Sequence, residues 1–301
     1  MPSSSQKSTS VRTLMASLRV LERRAPGLGA RVVERFWFTV PRRRPPAVEV
    51  PPGATEFTLD VAGRRVRGRR WGHEDDVVYL VHGWGGRSTQ LGAFVQPLRA
   101  AGYSVVAHDA LSHGDSDAGP MGAGRSNVLE HVAALRAVVA AHGPAYGVVA
   151  HSLGAMAAAV AMREGVVPRR AVYVAPMADA ASYTLGFTRM LGAGYRTWER
   201  FIARLEHRFD RPLSWFDMTA AAREASTPPL LVVHDREDRE TRWAASEAVV
   251  RDWPGARLVT TQGLGHNRLL ADPLVVTEAV GFLAGAGRAA EGIRPGAEVA
   301  A

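Results

Sequence analysis

The chain has 301 residues, of which 47% are hydrophobic, and it contains no cysteine. This composition supplies a large apolar core and excludes disulfides, thiolate zinc sites and cysteine nucleophiles. The net charge of +8 is unevenly placed, because residues 1–70 carry +10 and residues 71–301 carry −2. A nearly neutral body argues against nucleic-acid binding as the main activity.

The N-terminal segment predicts two amphipathic helices followed by a linker. The first helix has an apolar face made of Val11, Leu14, Met15, Leu18 and Leu21. Pro26 ends it. The second helix has an apolar face made of Val32, Val33, Phe36 and Trp37. The run from Pro41 to Pro46 is rich in arginine and proline, which predicts an extended linker.

This basic extension, residues 1–54, has two interpretations. Its aromatic residues favour helices that pack on the main domain, whereas a basic amphipathic helix is also typical of contact with anionic lipid. We favour packing and keep a weak membrane-surface contact as the alternative. Arginines interrupt the N-terminal apolar sequence, and no run reaches the roughly 18–20 apolar residues of a membrane span. We therefore expect a cytoplasmic protein.

Strands alternate with helices over residues 55–287. Strands are predicted at 56–61, 64–71, 77–81, 104–107, 146–150, 171–175, 230–234 and 257–261. Helices are predicted near 88–100, 125–142, 153–164, 240–252 and 272–285. This alternation predicts an α/β fold with a doubly wound, mostly parallel eight-stranded sheet and helices on both faces. Residues 177–226 break the alternation and predict an α-helical cap insertion, and residues 288–301 predict a disordered tail.

A glycine-rich loop follows the strand at 77–81, where the sequence reads Leu-Val-His-Gly-Trp-Gly-Gly over Leu80–Gly86. Glycines let backbone N–H groups point into a pocket, and we expect the N–H of Trp84 to stabilise an oxyanion. The alternative is a phosphate-binding loop. That alternative is disfavoured, because the loop lacks both Lys-Ser/Thr and Gly-x-Gly-x-x-Gly.

Residues 148–155 read Val-Val-Ala-His-Ser-Leu-Gly-Ala. An apolar strand ends, the chain turns sharply at Ser152, and a helix of small residues begins, which is the context of a nucleophilic serine. Gly154 keeps the strand and helix backbones close, and Ala150 stands where Gly-x-Ser-x-Gly would have glycine. The N–H of Leu153, directly after the serine, is the second expected oxyanion donor.

Two later loops offer a base and an acid. His266 lies in the glycine-rich loop after the last strand and is the expected general base. Asp238 follows the strand at 230–234 and is the expected orienting carboxylate, with Asp235 as the fallback. The alternatives are an ordinary surface-loop histidine and a helix N-cap at Asp238. All these loops follow parallel strands, so we expect them at one edge of the sheet.

The order of these motifs resembles the α/β-hydrolase family over residues 55–287. The segment Asp109–Ser116 is similar to that family's Asp-x-x-x-x-Gly-x-Ser loop, and Asp272-Pro273 is similar to the start of its last helix. The resemblance implies a catalytic triad of Ser152, Asp238 and His266. It also implies an oxyanion hole formed by Trp84 and Leu153, and a cap over an acyl pocket. Ala150 is the one clear departure from the family pattern.

The activity implied is that of a serine hydrolase without cofactor or metal, which cleaves a carboxylic-ester-like bond through an acyl-enzyme on Ser152. Aromatic and aliphatic residues of the cap suggest a small, mainly apolar substrate. The candidate substrate contacts are Tyr183, Phe187, Met190, Trp198 and Phe201. The same residues are equally typical of a core between cap and sheet. We expect a monomer or homodimer that acts on a small molecule and binds no nucleic acid.

Other activities stay open at this point. The same triad serves hydrolysis of C–C bonds, thioesters and lactones. A cofactor-free haloperoxidase is less well matched, because Leu153 stands where methionine is more frequent. A non-catalytic binding protein is the alternative from another class. The remaining histidines are interpreted as structural: His82 as support for the oxyanion loop, His151 as pointing away from the nucleophile, and His108, His113 and His234 without a ligand role.

Overall fold

An eight-stranded β-sheet forms the centre of the computed structural model, which describes residues 4–41, 49–224 and 227–285. The strands are β1 (Ala54–Asp60), β2 (Arg65–Trp71), β3 (Val77–Val81), β4 (Ser104–His108), β5 (Ala145–His151), β6 (Arg170–Val174), β7 (Leu230–Asp235) and β8 (Arg257–Thr261). Their order in the sheet is β1-β2-β4-β3-β5-β6-β7-β8. β2 pairs antiparallel with β1 and β4, and the other pairs are parallel. The sheet predicted from the sequence is confirmed.

Helices connect the strands as the alternation predicts. The described α-helices are α1 (Ser4–Arg24), α2 (Pro26–Trp37), α3 (Val95–Ala100), α4 (Val128–His142), α5 (Leu153–Arg163), α6 (Ala180–Met190), α7 (Tyr195–Phe209), α8 (Met218–Glu224), α9 (Trp243–Asp252), α10 (Gly265–Arg268) and α11 (Pro273–Leu283). Three 3₁₀ helices of the described residues span Ser88–Phe94, Leu213–Phe216 and Leu269–Ala271. Within the described residues, no helix combines the length and the apolarity that crossing a bilayer requires.

The core explains why β3 and the first four residues of β7 are hydrophobic. All five residues of β3 and all six of β7 are buried, because helices cover both faces of the parallel sheet. Ten of the eleven residues of α5 are buried as well. Its alanines and Gly154 let the helix lie close to the sheet. The turn between β5 and α5 is therefore held in a rigid, fully packed environment.

Side-chain caps mark the starts of α4 and α11. Asn127 accepts a hydrogen bond from the N–H of Glu130 at the start of α4. Asp272 accepts from the N–H groups of Leu274 and Val275 at the start of α11, where Pro273 occupies the first turn. Both arrangements satisfy N–H groups that have no partner inside the helix. The helix start that the Asp-Pro pair predicts is confirmed.

The chain divides into two compact units. The helical unit contains the residues up to Thr39 together with Asp179–Asp217, and the sheet unit contains Val40–Ala178 and the residues from Met218 onward. The helical unit therefore joins the N-terminal helices to the larger part of the predicted insertion, whereas α8 belongs to the sheet unit. The predicted Pro/Arg linker beyond Pro41 and the predicted tail at 288–301 lie outside the described residues.

An aromatic cluster forms the core of the helical unit. The indole of Trp37 on α2 meets the rings of Tyr183, Phe187 and Phe201 edge-on, with centroid distances of 5.8, 5.1 and 5.7 Å. These rings come from α2, α6 and α7. Edge-to-face pairs of this kind stabilise packing beyond the area that they bury. The second N-terminal helix thus shares one apolar core with the insertion.

A half-buried carboxylate at the start of α7 also joins α1 to the insertion. Glu22 accepts hydrogen bonds from the N–H groups of Gly194, Arg196 and Thr197, at 3.0, 3.1 and 3.1 Å. Burial alone would raise the pKa of Glu22, but these hydrogen bonds outweigh it and lower the pKa. Glu22 therefore supplies the negative charge that a helix N-terminus favours.

Candidate active site

Ser152 lies in a sharp turn between β5 and α5. Its backbone has φ 53° and ψ −121°, a left-handed conformation that costs a residue with a side chain about 1–3 kcal/mol. Two hydrogen bonds hold this conformation: the N–H of Ser152 donates to the carbonyl of Val174, and its carbonyl accepts from the N–H of Met177. The turn therefore presents the hydroxyl group beyond the end of the strand, as the sequence motif predicts.

Two glycines allow the oxyanion loop to approach this turn. A Cβ atom on Gly154 would lie 2.6 Å from the carbonyl oxygen of Val81, and it would also overlap the carbonyl oxygen of His82. A Cβ atom on Gly83 would lie 3.0 Å from the Cβ atom of Ser152. Larger residues at either position would push the loop after β3 away from the serine.

The side chains of Ser152, His266 and Asp238 form one continuous hydrogen-bonded chain. The hydroxyl of Ser152 lies 3.0 Å from Nε2 of His266, and Nδ1 of His266 lies 2.7 Å from Oδ2 of Asp238. His266 is 8% exposed, so its ring is shielded from bulk water. With Nδ1–H donated to the carboxylate, Nε2 carries the lone pair that accepts the serine proton. The structure thus brings the three expected residues together in the order that proton transfer needs.

Five donors surround the carboxylate of Asp238. Oδ2 accepts from His266, from the hydroxyl of Thr241 at 2.9 Å and from Nε2–H of His234 at 3.3 Å. Oδ1 accepts from the N–H groups of Glu240 and Thr241 at 2.7 and 3.0 Å. Burial alone would raise the pKa of Asp238, but the hydrogen bonds from His234 and His266 outweigh it and hold the pKa far below its usual range. Asp238 therefore stays ionised beside His266.

The alternatives for this carboxylate can be compared directly. Asp238 is not the N-cap of α9, because that helix begins at Trp243 with Arg242 in the N-cap position. Asp235, the fallback acid, points elsewhere: its Oδ2 accepts from the hydroxyl of Thr261 at 2.7 Å and from the N–H of Leu264 at 2.9 Å. Asp235 therefore ties the loop that carries His266 to the end of β7.

The two expected oxyanion donors lie in the residue after the serine and in the loop after β3. Leu153 is the first residue of α5, and Trp84 follows Gly83 in the loop after β3. Neither backbone N–H group has a hydrogen-bond acceptor among the described residues. Donors without an internal partner beside a nucleophile are what a developing oxyanion requires.

His82 fixes the conformation of this loop. Its Nδ1–H donates to the carbonyl of Gly83 at 2.7 Å, and its Nε2 accepts from the N–H of Ala110 at 3.0 Å. Burial lowers the pKa of His82, which keeps the ring neutral so that it can donate and accept at once. Asp109 adds a second link between the loops, because its carboxylate accepts from the N–H groups of Ser88 and Asp115.

His151 contacts His266, the expected general base. Its ring centroid is 4.7 Å from that of His266, and its Nε2–H donates to the backbone carbonyl of His266 at 3.0 Å. Burial and the nearby His266 lower the pKa of His151 to about 3, so this histidine is neutral. The expectation that His151 merely points away from the nucleophile misses this contact, which positions the backbone of the base.

The candidate substrate contacts of the insertion lie in the helical unit. Tyr183, Phe187 and Phe201 pack around Trp37, and the indole N–H of Trp198 donates to the hydroxyl of Thr184 at 3.1 Å. Met190 is 64% exposed. Part of this aromatic set therefore serves the core of the helical unit.

Sequence reasoning missed two residues that contact the acid. His234 is the penultimate residue of β7 and places its Nδ1 2.6 Å from the hydroxyl of Ser246, while Nε2 faces Asp238. Thr241 contacts the same carboxylate through its hydroxyl and its N–H group. The only available signal was spacing, since His234 and Thr241 stand four residues before and three after Asp238. Among the described residues, no group of three or more acidic, histidine or cysteine side chains is arranged to hold a metal ion.

Comparison with known proteins identifies the family of this chain. A family model described as "Alpha/beta hydrolase family" matches residues 78–279, more than half of the chain. A comparison with curated protein sequences found no match.

Solved structures share the fold at low sequence identity. An esterase from Rhodococcus sp. ECU1013 is 20% identical with a TM-score of 0.57, and the match covers 78% of this chain and 100% of that one. Est1E from Butyrivibrio proteoclasticus, solved with ferulic acid, is 18% identical with a TM-score of 0.57 over 74% and 96% of the two chains. The thioesterase domain from the curacin biosynthetic pathway is 19% identical with a TM-score of 0.54 over 76% and 99%. These structures support the fold, and the family match shows that this chain belongs to the alpha/beta hydrolase family.

Proposed function

We propose that this protein is a serine hydrolase that cleaves a carboxylic-ester-like bond through an acyl-enzyme on Ser152. The observation that carries the proposal is the unbroken path from the Ser152 hydroxyl through His266 to Asp238, with distances of 3.0 and 2.7 Å. This geometry matches what nucleophilic catalysis by a hydroxyl group requires, namely a base in contact and a carboxylate behind it.

The proposed reaction has two stages. In the first, Oγ of Ser152 attacks the substrate carbonyl while His266 takes the serine proton, and the N–H groups of Trp84 and Leu153 stabilise the oxyanion. His266 then gives its proton to the leaving alkoxide. In the second, His266 activates a water molecule that attacks the acyl-serine, and the proton returns to Oγ. Asp238 holds His266 in the required tautomer and stabilises the imidazolium.

The proposed substrate is small and mainly apolar. We propose Tyr183, Phe187, Met190 and Trp198 of the predicted cap as its contacts. A panel of p-nitrophenyl esters of increasing chain length tests this part. Replacement of the exposed Met190 by serine is expected to raise KM for the longer esters more than for the acetate, because an apolar contact is lost. Equal KM values for Met190→Ser and the native protein across the panel would show that Met190 does not contact the substrate.

A second panel, made of one thioester, one lactone and one C–C substrate beside an ester, separates the related bond types. A thioester, a lactone and a C–C substrate make the same demands on the triad, so relative kcat/KM values decide among them. A non-catalytic binding protein would turn over none of these substrates. Three further predictions need their own tests. Cell fractionation tests the cytoplasmic location, and sedimentation tests whether the protein is a monomer or a homodimer. Vesicle pelleting tests a weak membrane contact of the basic N-terminus.

The proposal itself is tested by p-nitrophenyl acetate hydrolysis by Ser152→Ala. Removing the nucleophile is expected to lower kcat by roughly four to six orders of magnitude. Ser182→Ala, on α6 and outside the candidate site, is the matched control and is expected to retain the native rate. Equal rates for Ser152→Ala and the native protein would show that hydrolysis occurs elsewhere.

A further inference from the structure

A concave surface site lies within the helical unit. It is a groove of about 960 Å³ between the start of α2 and the length of α7. Leu28, Arg31 and Glu34 line it on the side of α2, and Arg200, Arg204 and Arg208 line it on the side of α7. All of them belong to the helical unit, whereas Ser152, Asp238 and His266 belong to the sheet unit.

The groove carries a large excess of positive charge. Four arginines line it, and Glu34 is its one acidic residue. Three of these arginines belong to a row along α7, where Arg196, Arg200, Arg204 and Arg208 repeat every four residues and so share one helix face. Like charges at this spacing repel one another and destabilise a helix. The row therefore favours an anionic partner.

The buried carboxylate holds part of this row in place. Glu34 is 4% exposed and accepts from Nε and Nη2 of Arg208 at 2.9 and 2.8 Å, and also from Nε of Arg204. One carboxylate cannot neutralise two guanidinium groups. Instead it orients them. The two side chains therefore lose less conformational entropy when an anion binds. Arg31 and Arg200 are exposed and have no ion-pair partner among the described residues.

We propose that this groove binds an organic anion that bears a phosphate group. Arginine forks match the oxygens of a phosphate and bind it with paired, charge-assisted hydrogen bonds. A dianion balances the excess charge better than a monoanionic carboxylate. The volume exceeds that of a free phosphate, and Leu28, 51% exposed, with Ala203 gives apolar contacts for an organic remainder.

The first test is isothermal titration of the full-length protein with phenyl phosphate, with benzoate and inorganic phosphate as comparison ligands. Phenyl phosphate is expected to bind at least about tenfold more tightly than benzoate, and more tightly than inorganic phosphate. Its affinity is expected to fall as salt is raised. Equal affinity for phenyl phosphate and benzoate would overturn the proposal, as would absence of binding.

The second test assigns the binding to the groove. The double variant Arg31→Ala/Arg200→Ala removes two exposed charges that hold no described contact, so its melting temperature is expected to match the native one. Its affinity for phenyl phosphate is expected to fall at least about tenfold. The matched control is Arg19→Ala/Arg189→Ala, which removes two exposed arginines of the same unit outside the groove. A loss of affinity in the control as large as in the groove variant would refute a localised site.

A third test distinguishes a soluble phosphate from a lipid headgroup. Vesicles containing phosphatidylglycerol are pelleted with the native protein and with both double variants. The proposal predicts that phenyl phosphate competes with any pelleting that depends on Arg31 and Arg200. If both double variants lower the pelleting equally and phenyl phosphate does not compete, the arginines form a diffuse membrane-binding surface. That result would overturn the proposed phosphate site in the groove.

Discussion

Asp238 receives more hydrogen bonds than the other two residues of the candidate triad. Two donors besides His266 reach its Oδ2, namely the hydroxyl of Thr241 and the imidazole of His234. His234 is in turn held by Ser246 at 2.6 Å. Because hydrogen bonds to a charged group are stronger than neutral ones, these contacts contribute to the orientation and to the ionisation of the carboxylate.

His234→Leu is therefore expected to impair catalysis without touching the nucleophile or the base. Loss of one hydrogen bond to a carboxylate is expected to lower kcat/KM about tenfold. Since His234 helps to lower the pKa of Asp238, its removal raises the proton affinity of that carboxylate and strengthens its interaction with the His266 imidazolium. The acidic limb of the kcat/KM profile is then expected to move to higher pH, which a pH–rate series measures.

His234→Gln is the matched control for this prediction. Its amide N–H can replace the imidazole donor, so it is expected to recover most of the activity and the native position of the acidic limb. A leucine variant that melts at lower temperature but keeps the native pH profile would show that His234 acts only on the fold.

At the scale of elements, the β5–α5 turn depends on the absence of side-chain atoms. Gly154 lies where any Cβ atom would meet the backbone oxygens of Val81 and His82. Backbone oxygens at the end of a central strand cannot withdraw as a flexible side chain could. The small residues of the nucleophile motif are thus a packing requirement of α5 against β3, and this requirement is visible in the sequence.

Gly154→Ala and Gly186→Ala are expected to have opposite effects on stability. Gly186 lies in the middle of α6, and a Cβ atom there would meet nothing within 4 Å. Alanine at position 186 is expected to raise the free energy of unfolding by about 0.5–1 kcal/mol, because it stabilises a helix relative to glycine. Alanine at position 154 is expected to lower it by at least about 1–3 kcal/mol through overpacking, and to reduce esterase activity.

Urea unfolding of the two variants measures these changes. A Gly154→Ala protein as stable and as active as the native one would contradict the close contact between α5 and the loop after β3.

The elements show which parts of the structure the sequence can predict. Hydrophobic runs such as Val77–Val81 and residues 230–233 identify strands inside the sheet, because both faces of those strands are buried. Ser152, Asp238 and His266 each follow one of the parallel strands, so the sequence also predicts that they lie at one edge of the sheet. His234 was interpreted only as structural. A strand pattern gives the face on which a side chain lies. It does not show which side chain of a following loop, here Asp238, that residue contacts.

The helical unit shows a second limit of prediction. Amphipathic patterns identify the apolar faces of α2 and α7, but they do not state which helices pair. The contacts of Trp37 with Phe201 and of Glu34 with Arg208 join residues more than 160 positions apart. Such pairings depend on the complementarity of whole surfaces, which no local spacing records.

At the scale of the whole molecule, buried neutral histidines link stability to pH. Burial lowers the pKa of His108, His113 and His151 to about 3, with added repulsion from neighbouring imidazoles. Burial also lowers the pKa of His82 and His131. In the unfolded chain a histidine has a pKa of about 6.5. Between about pH 6.5 and pH 3 the unfolded state therefore binds more protons than the folded state.

The free energy of unfolding is thus expected to fall as the pH is lowered from 7 to 5. The loss at pH 5 is on the order of 2 kcal/mol for each histidine whose folded pKa is about 3. Urea unfolding at the two pH values measures it. His113→Asn can keep the hydrogen bond to the carbonyl of Leu111 and removes the titrating group, so its stability is expected to depend less steeply on pH. Equal stability of the native protein at both pH values would refute this linkage.

The most direct measurement of the central claim is covalent labelling with a fluorophosphonate, in which Oγ of an activated serine attacks phosphorus and fluoride leaves. Intact-mass spectrometry of the native protein is expected to show one phosphonyl adduct, and peptide mapping is expected to place it on Ser152. Ser152→Ala is expected to remain unlabelled, and His266→Gln to react at least about a hundredfold more slowly, because the base is lost. An adduct on another residue, or a native protein that stays unlabelled, would contradict an activated nucleophile at Ser152.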